Sequence, residues 1–201
     1  MEDYQDFNQE EWQQVVDFHG HACPGLVIGY KAARLARREL GVRTASDEEL
    51  VCVTENDACG VDAVQWLTGC TFGKGNLLYR PVAKQAFSFF RRDKDNEGQT
   101  ESKIKDKPQA IRLVLEKSSE WPEDREEALN WLLAMEANSL FQIKKPPYEL
   151  PARAQIFSTL VCEECGEGAA EYAFRLQDDK RVCLDCYDGY DREVKDNLKL
   201  D

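Results

Sequence analysis

Apolar positions at helical spacing open the chain. Trp12, Val15 and Val16 recur with a helical period, Asn8 is placed to cap the segment, and Glu11 stands three residues on as the reciprocal residue of a capping box. Gly20 then stops that helix. A second helix is predicted over 24–40: Pro24 suits a first turn, Leu26, Ile28, Ala32, Ala33, Leu35 and Ala36 supply an apolar side, and Gly41 ends it. Gly25 and Gly29 lie four apart on one face, a spacing that admits another backbone at about 1 kcal/mol of helix propensity per glycine. The period then changes to two. Leu50 to Glu55 alternates and is rich in β-branched residues, so it reads as a strand with Cys52 as a small buried hydrophobe. Asn56 to Gly60 reads as a turn and Gly60 to Leu67 as a short helix, with Asp62 and Gln65 three apart on it. Further strands are predicted over 76–80, 86–92 and 100–105, with a hairpin turn at 93–98. A helix is predicted over 124–139, with Leu129, Leu132 and Leu133 inside and Glu126, Glu127 and Glu136 outside.

Three prolines fall among residues 146–151, and the stretch 144–151 reads as an extended, semi-rigid linker. Beyond it, Cys162-Glu163-Glu164-Cys165 and Cys183-Leu184-Asp185-Cys186 are separated by seventeen residues. Two such pairs at this spacing are a structural zinc signature. Residues 170–175 with Asp178-Asp179 give a hairpin signal, and the chain from Cys183 to about Leu200 reads as a helix. A module this small cannot bury a sufficient core alone, so the metal supplies folding free energy. The expected fold class is therefore α+β. It has an N-terminal domain of mixed helices and antiparallel sheet over 1–143, the linker 144–151, and a small treble-clef-like zinc module over 152–201.

Charge narrows the partners. The chain carries 38 acidic and 26 basic side chains, a net of −12. Nucleic-acid binders neutralise phosphates with Lys and Arg, so nucleic acid is not the expected partner. From Cys162 onward there are twelve acidic and six basic residues, which makes this finger a better docking module than a DNA reader. The basic run Lys31, Arg34, Arg37 and Arg38 reads as a solvated helix face. No run of 18 apolar residues exists, and Met1 to Asp6 is acidic and polar where a secretory leader is basic and then apolar. The expectation is a cytoplasmic protein that does not engage membranes. Its eight cysteines then point to metal binding or thiol chemistry.

The densest chemistry lies in Phe18-His19-Gly20-His21-Ala22-Cys23-Pro24-Gly25, which holds both histidines of the protein and a thiol at a helix start. The helix dipole and free N–H groups there favour a thiolate. Cys59 repeats that placement. Thr68 to Asn76 contains Gly-Lys-Gly, but only three residues separate Gly69 from Gly73 and Gly75 follows the lysine, so it is not a Walker loop. It is a loop whose single cation could hold an anionic group.

The run from Phe18 to Leu26 with Gly29-Tyr30, and a second block of Cys59, Asp62, Gln65 and Thr68 to Asn76, resemble the signature of the formylmethanofuran dehydrogenase E-subunit family. The resemblance covers roughly residues 8–143, and the cysteine-paired module resembles that of longer members. It implies an α+β domain that forms intertwined homodimers. It also implies a link to molybdenum or tungsten formylmethanofuran dehydrogenase of methanogens and other anaerobes. That enzyme's chemistry rests on a metal–pterin cofactor and iron–sulfur clusters. This chain has no ferredoxin-like cysteine run, so it is not the catalytic subunit alone.

The expected centre has His21 and Cys23 binding a transition metal, zinc first, with Cys59 brought close as the third ligand and a fourth position open. His19 either supports a ligand from behind or substitutes for one. Cys70, Asp62 and Lys74 line the pocket, Lys74 to hold an anionic group and Asp62 to orient a ligand or move a proton. A metal-free variant makes Cys23 the nucleophile and His21 its base. Enzyme or enzyme subunit is the first reading, ahead of a non-catalytic metal or cofactor carrier that docks partners through its finger. A zinc-finger transcription regulator stands last.

Overall fold

The computed structural model describes residues 7–92, 107–116 and 118–189, and the chain divides into two compact units, Met1–Ala154 and Gln155–Asp201. In the first unit the chain runs α1 (Gln9–His19), α2 (Pro24–Leu40), β1 (Leu50–Thr54), α3 (Gly60–Thr68), β2 (Leu77–Tyr79) and β3 (Ala86–Arg91). It continues with β4 (Ala110–Leu115), α4 (Arg125–Ala134), α5 (Ala137–Leu140) and β5 (Phe141–Lys144). The sheet order is β2-β1-β3-β4-β5. All neighbours are antiparallel except β1 and β2, whose parallel pairing, Cys52 opposite Leu77, follows from the crossover through α3. The protein is thus α+β, as the hydrophobic pattern predicts, with one parallel pair in the sheet.

The helix ends obey local chemistry. Asn8 Oδ1 accepts the Glu11 N–H at 2.8 Å, Gly20 caps α1 with φ 93°, and Gly41 caps α2 with φ 65°. The sheet is covered on both faces, which is why every residue of β1 is buried. Leu50, Cys52, Phe87 and Phe89 join the core beneath α2, whereas Val51, Val53 and Phe90 form a second cluster on the opposite face.

That second face corrects the expectation for 144–151. Tyr148 packs on Phe90 with ring centroids 6.0 Å apart and donates to Ser88 Oγ at 2.8 Å, and Arg92 donates to the carbonyl of Pro151 at 2.7 Å. The proline-rich stretch belongs to the first unit and roofs the back of the sheet; an extended chain rich in proline suits that role because it needs few backbone partners of its own.

The basic run of α2 is not a solvated face either. Lys31 is 1% exposed and donates to the carbonyls of Leu133 and Met135, the last turn of α4, where a cation is favoured. Arg34 and Arg37 grip the Glu11 carboxylate, which is thereby diverted from the second half of the capping box. The helix predicted over 124–139 also breaks. Met135 and Glu136 are extended, and the chain restarts as α5 so that Ala137 and Leu140 reach the core. The strand at 100–105 and the turn at 93–98 lie outside the described residues; β4 at 110–115 and β5 at 141–144 are strands that the pattern does not predict.

The second unit consists of two hairpins, β6 (Thr159–Val161) with β7 (Gly168–Ala170) and β8 (Phe174–Gln177) with β9 (Lys180–Cys183). Asp178 and Asp179, at φ 50° and 60°, form the tight turn of the second. The helix expected from Cys183 does not begin there: β9 carries Cys183, and Leu184 to Cys186 turn. The remainder of that expected helix, from 190 on, lies outside the described residues.

Candidate metal centres

In the second unit, the Sγ atoms of Cys162, Cys165, Cys183 and Cys186 all lie within 4.8 Å of one another. Each pair occupies a tight turn at the end of a hairpin strand. After Cys162, Gly166 adopts φ 76° and its N–H bonds back to the Cys162 carbonyl at 3.0 Å; after Cys183, the Cys186 N–H bonds to the Cys183 carbonyl at 3.1 Å. The backbone N–H groups of Cys165 and Cys183 bring the Cys162 thiol down to about 6, the Cys183 one donating to its Sγ at 3.3 Å. A closed shell of four thiolate donors on two knuckles fits a zinc module.

In the first unit two helix N-termini meet. Gly29 of α2 lies so close against Gly60 of α3 that a Cβ at residue 29 would overlap the Gly60 carbonyl, and Gly25 leaves room for Cys59. The expected reason for the glycine pair therefore holds. This crossing carries Cys23, the N-cap of α2, and Cys59, the N-cap of α3, to one point. Cys23 is 3% exposed and its Sγ accepts the Leu26 N–H at 3.4 Å. The last residue of α1, His19, completes the group: one ligand atom from each of His19, Cys23 and Cys59 falls within 4.8 Å of the other two. Burial, and then Cys23 alongside, push the Cys59 thiol upward, a pressure that a bound cation would reverse.

His19 is oriented. Its Nδ1 lies 2.7 Å from Asp62 Oδ2, which leaves Nε2 facing Cys23 Sγ at 4.0 Å, and Gln65 Nε2 approaches the other Asp62 oxygen at 3.4 Å. This carboxylate–imidazole arrangement is the one that holds metal-binding histidines. The residues fit a borderline-soft cation such as zinc: two sulfurs and an imidazole, with room for a further ligand.

The sequence reading put His21 in this set, with His19 behind it or as its substitute; the imidazole that converges with Cys23 and Cys59 is that of His19. Gly20 turns the chain out of the helix, so His21 is exposed and only stacks its ring on His19 at 4.6 Å. Cys70 and Lys74 do not reach the group either. Cys70 is buried in the core, donates to the Leu50 carbonyl at 3.4 Å and has its thiol raised to about 11 by burial. Lys74 Nζ donates to the Ala45 carbonyl at 3.1 Å.

A cavity of about 370 Å3 adjoins the cluster, lined among others by His19, Cys59, Asp62, Phe72 and Tyr79. A larger one, about 650 Å3, borders Gln85, Leu115 and Trp121 but contains neither histidine nor cysteine, so the smaller is the chemical candidate. At its edge the end of β1 is anchored by Glu55, whose carboxylate takes Arg112 through two bonds of 2.7 and 2.8 Å. Sequence reasoning missed this pair; the alternation of β4 with a lone arginine at position 112 was its only signal.

A small α+β domain with a His/Cys cluster at paired helix starts, followed by a four-cysteine module, presents the donor sets that metal-binding proteins use. The family model described as "FmdE, Molybdenum formylmethanofuran dehydrogenase operon" matches residues 18–142, and the chain belongs to that family. It is 29% identical over 193 residues to a "Probable S-adenosyl-L-methionine-binding protein" of Archaeoglobus fulgidus, a match covering 87% of this chain and 51% of the relative. The chain thus spans about half the length of that curated relative. Its fold is similar to the crystal structure of an FmdE-like protein of the tungsten formylmethanofuran dehydrogenase type from Syntrophus aciditrophicus. The TM-score is 0.57 and the identity 23%, over 90% of this chain and 92% of the other. Among the described residues no helix is long and apolar enough to cross a membrane.

Proposed function

We propose that this chain is a two-site metal protein. In it the four cysteines of the second unit hold a structural zinc, and His19, Cys23 and Cys59 hold a second transition metal, zinc first, in a three-ligand centre that acts on or carries a small molecule. The observation that carries the reading is the convergence of those three side chains from three elements, with Asp62 fixing the imidazole, beside a cavity. A metal there would supply Lewis acidity at its open position. The chain's own contribution is to aim the His19 nitrogen through Asp62, to bury Cys23, and to place Asp57 and Asp62 along the cavity wall.

Membership of the family supports a place in one-carbon, molybdenum- or tungsten-linked metabolism of anaerobes, as an enzyme or as an accessory component of an oxidoreductase complex, in a cytoplasmic homodimer. A carrier that docks partners through its finger is the second reading, favoured by the relative's name, which supports giving the cavity a small organic ligand. Metal analysis of the wild type beside Cys23→Ala and Cys183→Ala tests the core of the proposal. The wild type is expected to hold two metals per chain, and each variant one. Full metal content in Cys23→Ala overturns the assignment of the first site.

A further inference from the structure

The charge around the first centre differs from what the glycine-lysine loop suggests, and it decides the kind of ligand. Lys74, the one cation expected to face the pocket, spends its ammonium group on the Ala45 carbonyl. Arg80, next in the chain to the cavity residue Tyr79, lies 3.7 Å from Glu55 and over the Tyr148 ring at 5.5 Å. No lysine or arginine lines the cavity among the described residues, whereas Asp57 and Asp62 both do. A divalent metal held by two thiolates and a neutral imidazole is charge-balanced and leaves those carboxylates uncompensated. Two aromatic side chains also line the cavity, Phe72 at 60% exposure and Tyr79 at 45%. Phe18 and Trp66, an exposed aromatic pair of the same unit, pack on each other at 5.6 Å.

Carboxylates with open aromatic faces attract an organic cation, which the ring quadrupole and the negative charge both favour. The geometry points to a cavity that selects a cationic ligand, an ammonium or sulfonium group attached to a flat apolar body, and rejects carboxylates and phosphates. Its volume of about 370 Å3 suits a small molecule rather than a polymer. This inference rests on the metal-centre reading only for the position of the ligand beside the metal; the cation preference comes from the cavity walls.

The test is calorimetric titration of the full chain, metal-loaded and metal-free, with phenyltrimethylammonium, benzyl alcohol and benzoate, metal content being measured on the same samples. The cation is expected to bind at least about tenfold more tightly than benzoate, with the alcohol between them, an effect the size of one Coulomb contact at partial exposure. Phe72→Ala is expected to weaken the cation about threefold or more, and Asp57→Asn to narrow the gap between cation and benzoate. Both residues are exposed or lie in loops, so neither change removes a core contact. Benzoate binding as tightly as the cation, no cation binding at millimolar concentration, or indifference to both substitutions overturns the inference. Cation selectivity that persists in protein lacking the first metal supports it even where the metal reading fails.

Discussion

Two histidines flank Gly20, and a single backbone torsion separates their fates. His19 is the last helical residue of α1 and keeps its ring within reach of α3; His21 follows a glycine at φ 93° and is carried outward. Replacing His19 by Ala is therefore expected to abolish tight binding at the first centre, and replacing His21 by Ala to leave it essentially unchanged. Asp62→Asn, which loosens the imidazole without removing a ligand, is expected to weaken zinc by about 10- to 100-fold. Competition with a chromogenic chelator reads all three. Equal losses from His19→Ala and His21→Ala contradict the assignment. At position 31, a lysine that reads as surface is buried because two carbonyls of another helix accept its charge.

At the level of elements, the crossing of α2 over α3 is the device that builds the first site. Gly29→Ala puts a methyl group into the backbone of α3, so the helices have to part. Overpacking of this kind destabilises by at least about 2 kcal/mol. The metal affinity of the first centre is expected to fall with stability, because Cys59 moves away from Cys23. Thermal melts and metal content together check this; a variant as stable as wild type with intact affinity contradicts the close approach. Ahead of β1, the Glu49 carboxylate accepts the N–H groups of Ser46 and Asp47 and the Ser46 hydroxyl at 2.7–2.9 Å. Against the upward push of burial, the Glu49 backbone N–H first and then these bonds bring it from 4.5 down to about 2. A lowered carboxyl contributes stability that is complete above the ordinary value and is lost as pH falls through the folded one. Denaturant midpoints are thus expected to fall between pH 4.5 and about 2, and Glu49→Gln to flatten that fall by about 1 kcal/mol after allowance for solvent screening. An unchanged acid limb in the variant speaks against this role.

On the scale of the molecule, the two proposed metals would bear on the two units in different ways. The first has a core in which Leu35, Phe87, Phe89 and Leu132 are buried without any cation. Among the described residues, the second has a small cluster of Cys162, Val182 and Cys183 with Ala169, Phe174, Cys186 and Tyr187 packed against it. Cys183→Ala is expected to unfold the second unit and leave the first intact, a result visible as proteolysis confined to residues after Ala154. Loss of the whole fold in that variant contradicts the division. The back of the sheet extends the first unit: Tyr148 and the proline-rich stretch cover Val51, Val53 and Phe90, so truncation at 143 uncovers an apolar face.

Local patterning determined the limits of α1 and α2, with the glycines that end them, and the position of α3, because capping and periodicity act over a few residues. It also determined the two cysteine pairs, because knuckle spacing is a short-range property. The glycine pair on α2 announced a close crossing without naming its partner. Which histidine joins Cys23, where the cations of α2 and Lys74 spend their charge, and what covers the second face of the sheet were decided only by the tertiary structure. Each depends on a meeting between residues far apart in the chain, such as Lys31 with Met135, Glu55 with Arg112 or Ser88 with Tyr148. Neither side of such a pair carries a mark of the other in its own surroundings, so a pattern read along the chain records the groups but not their encounters.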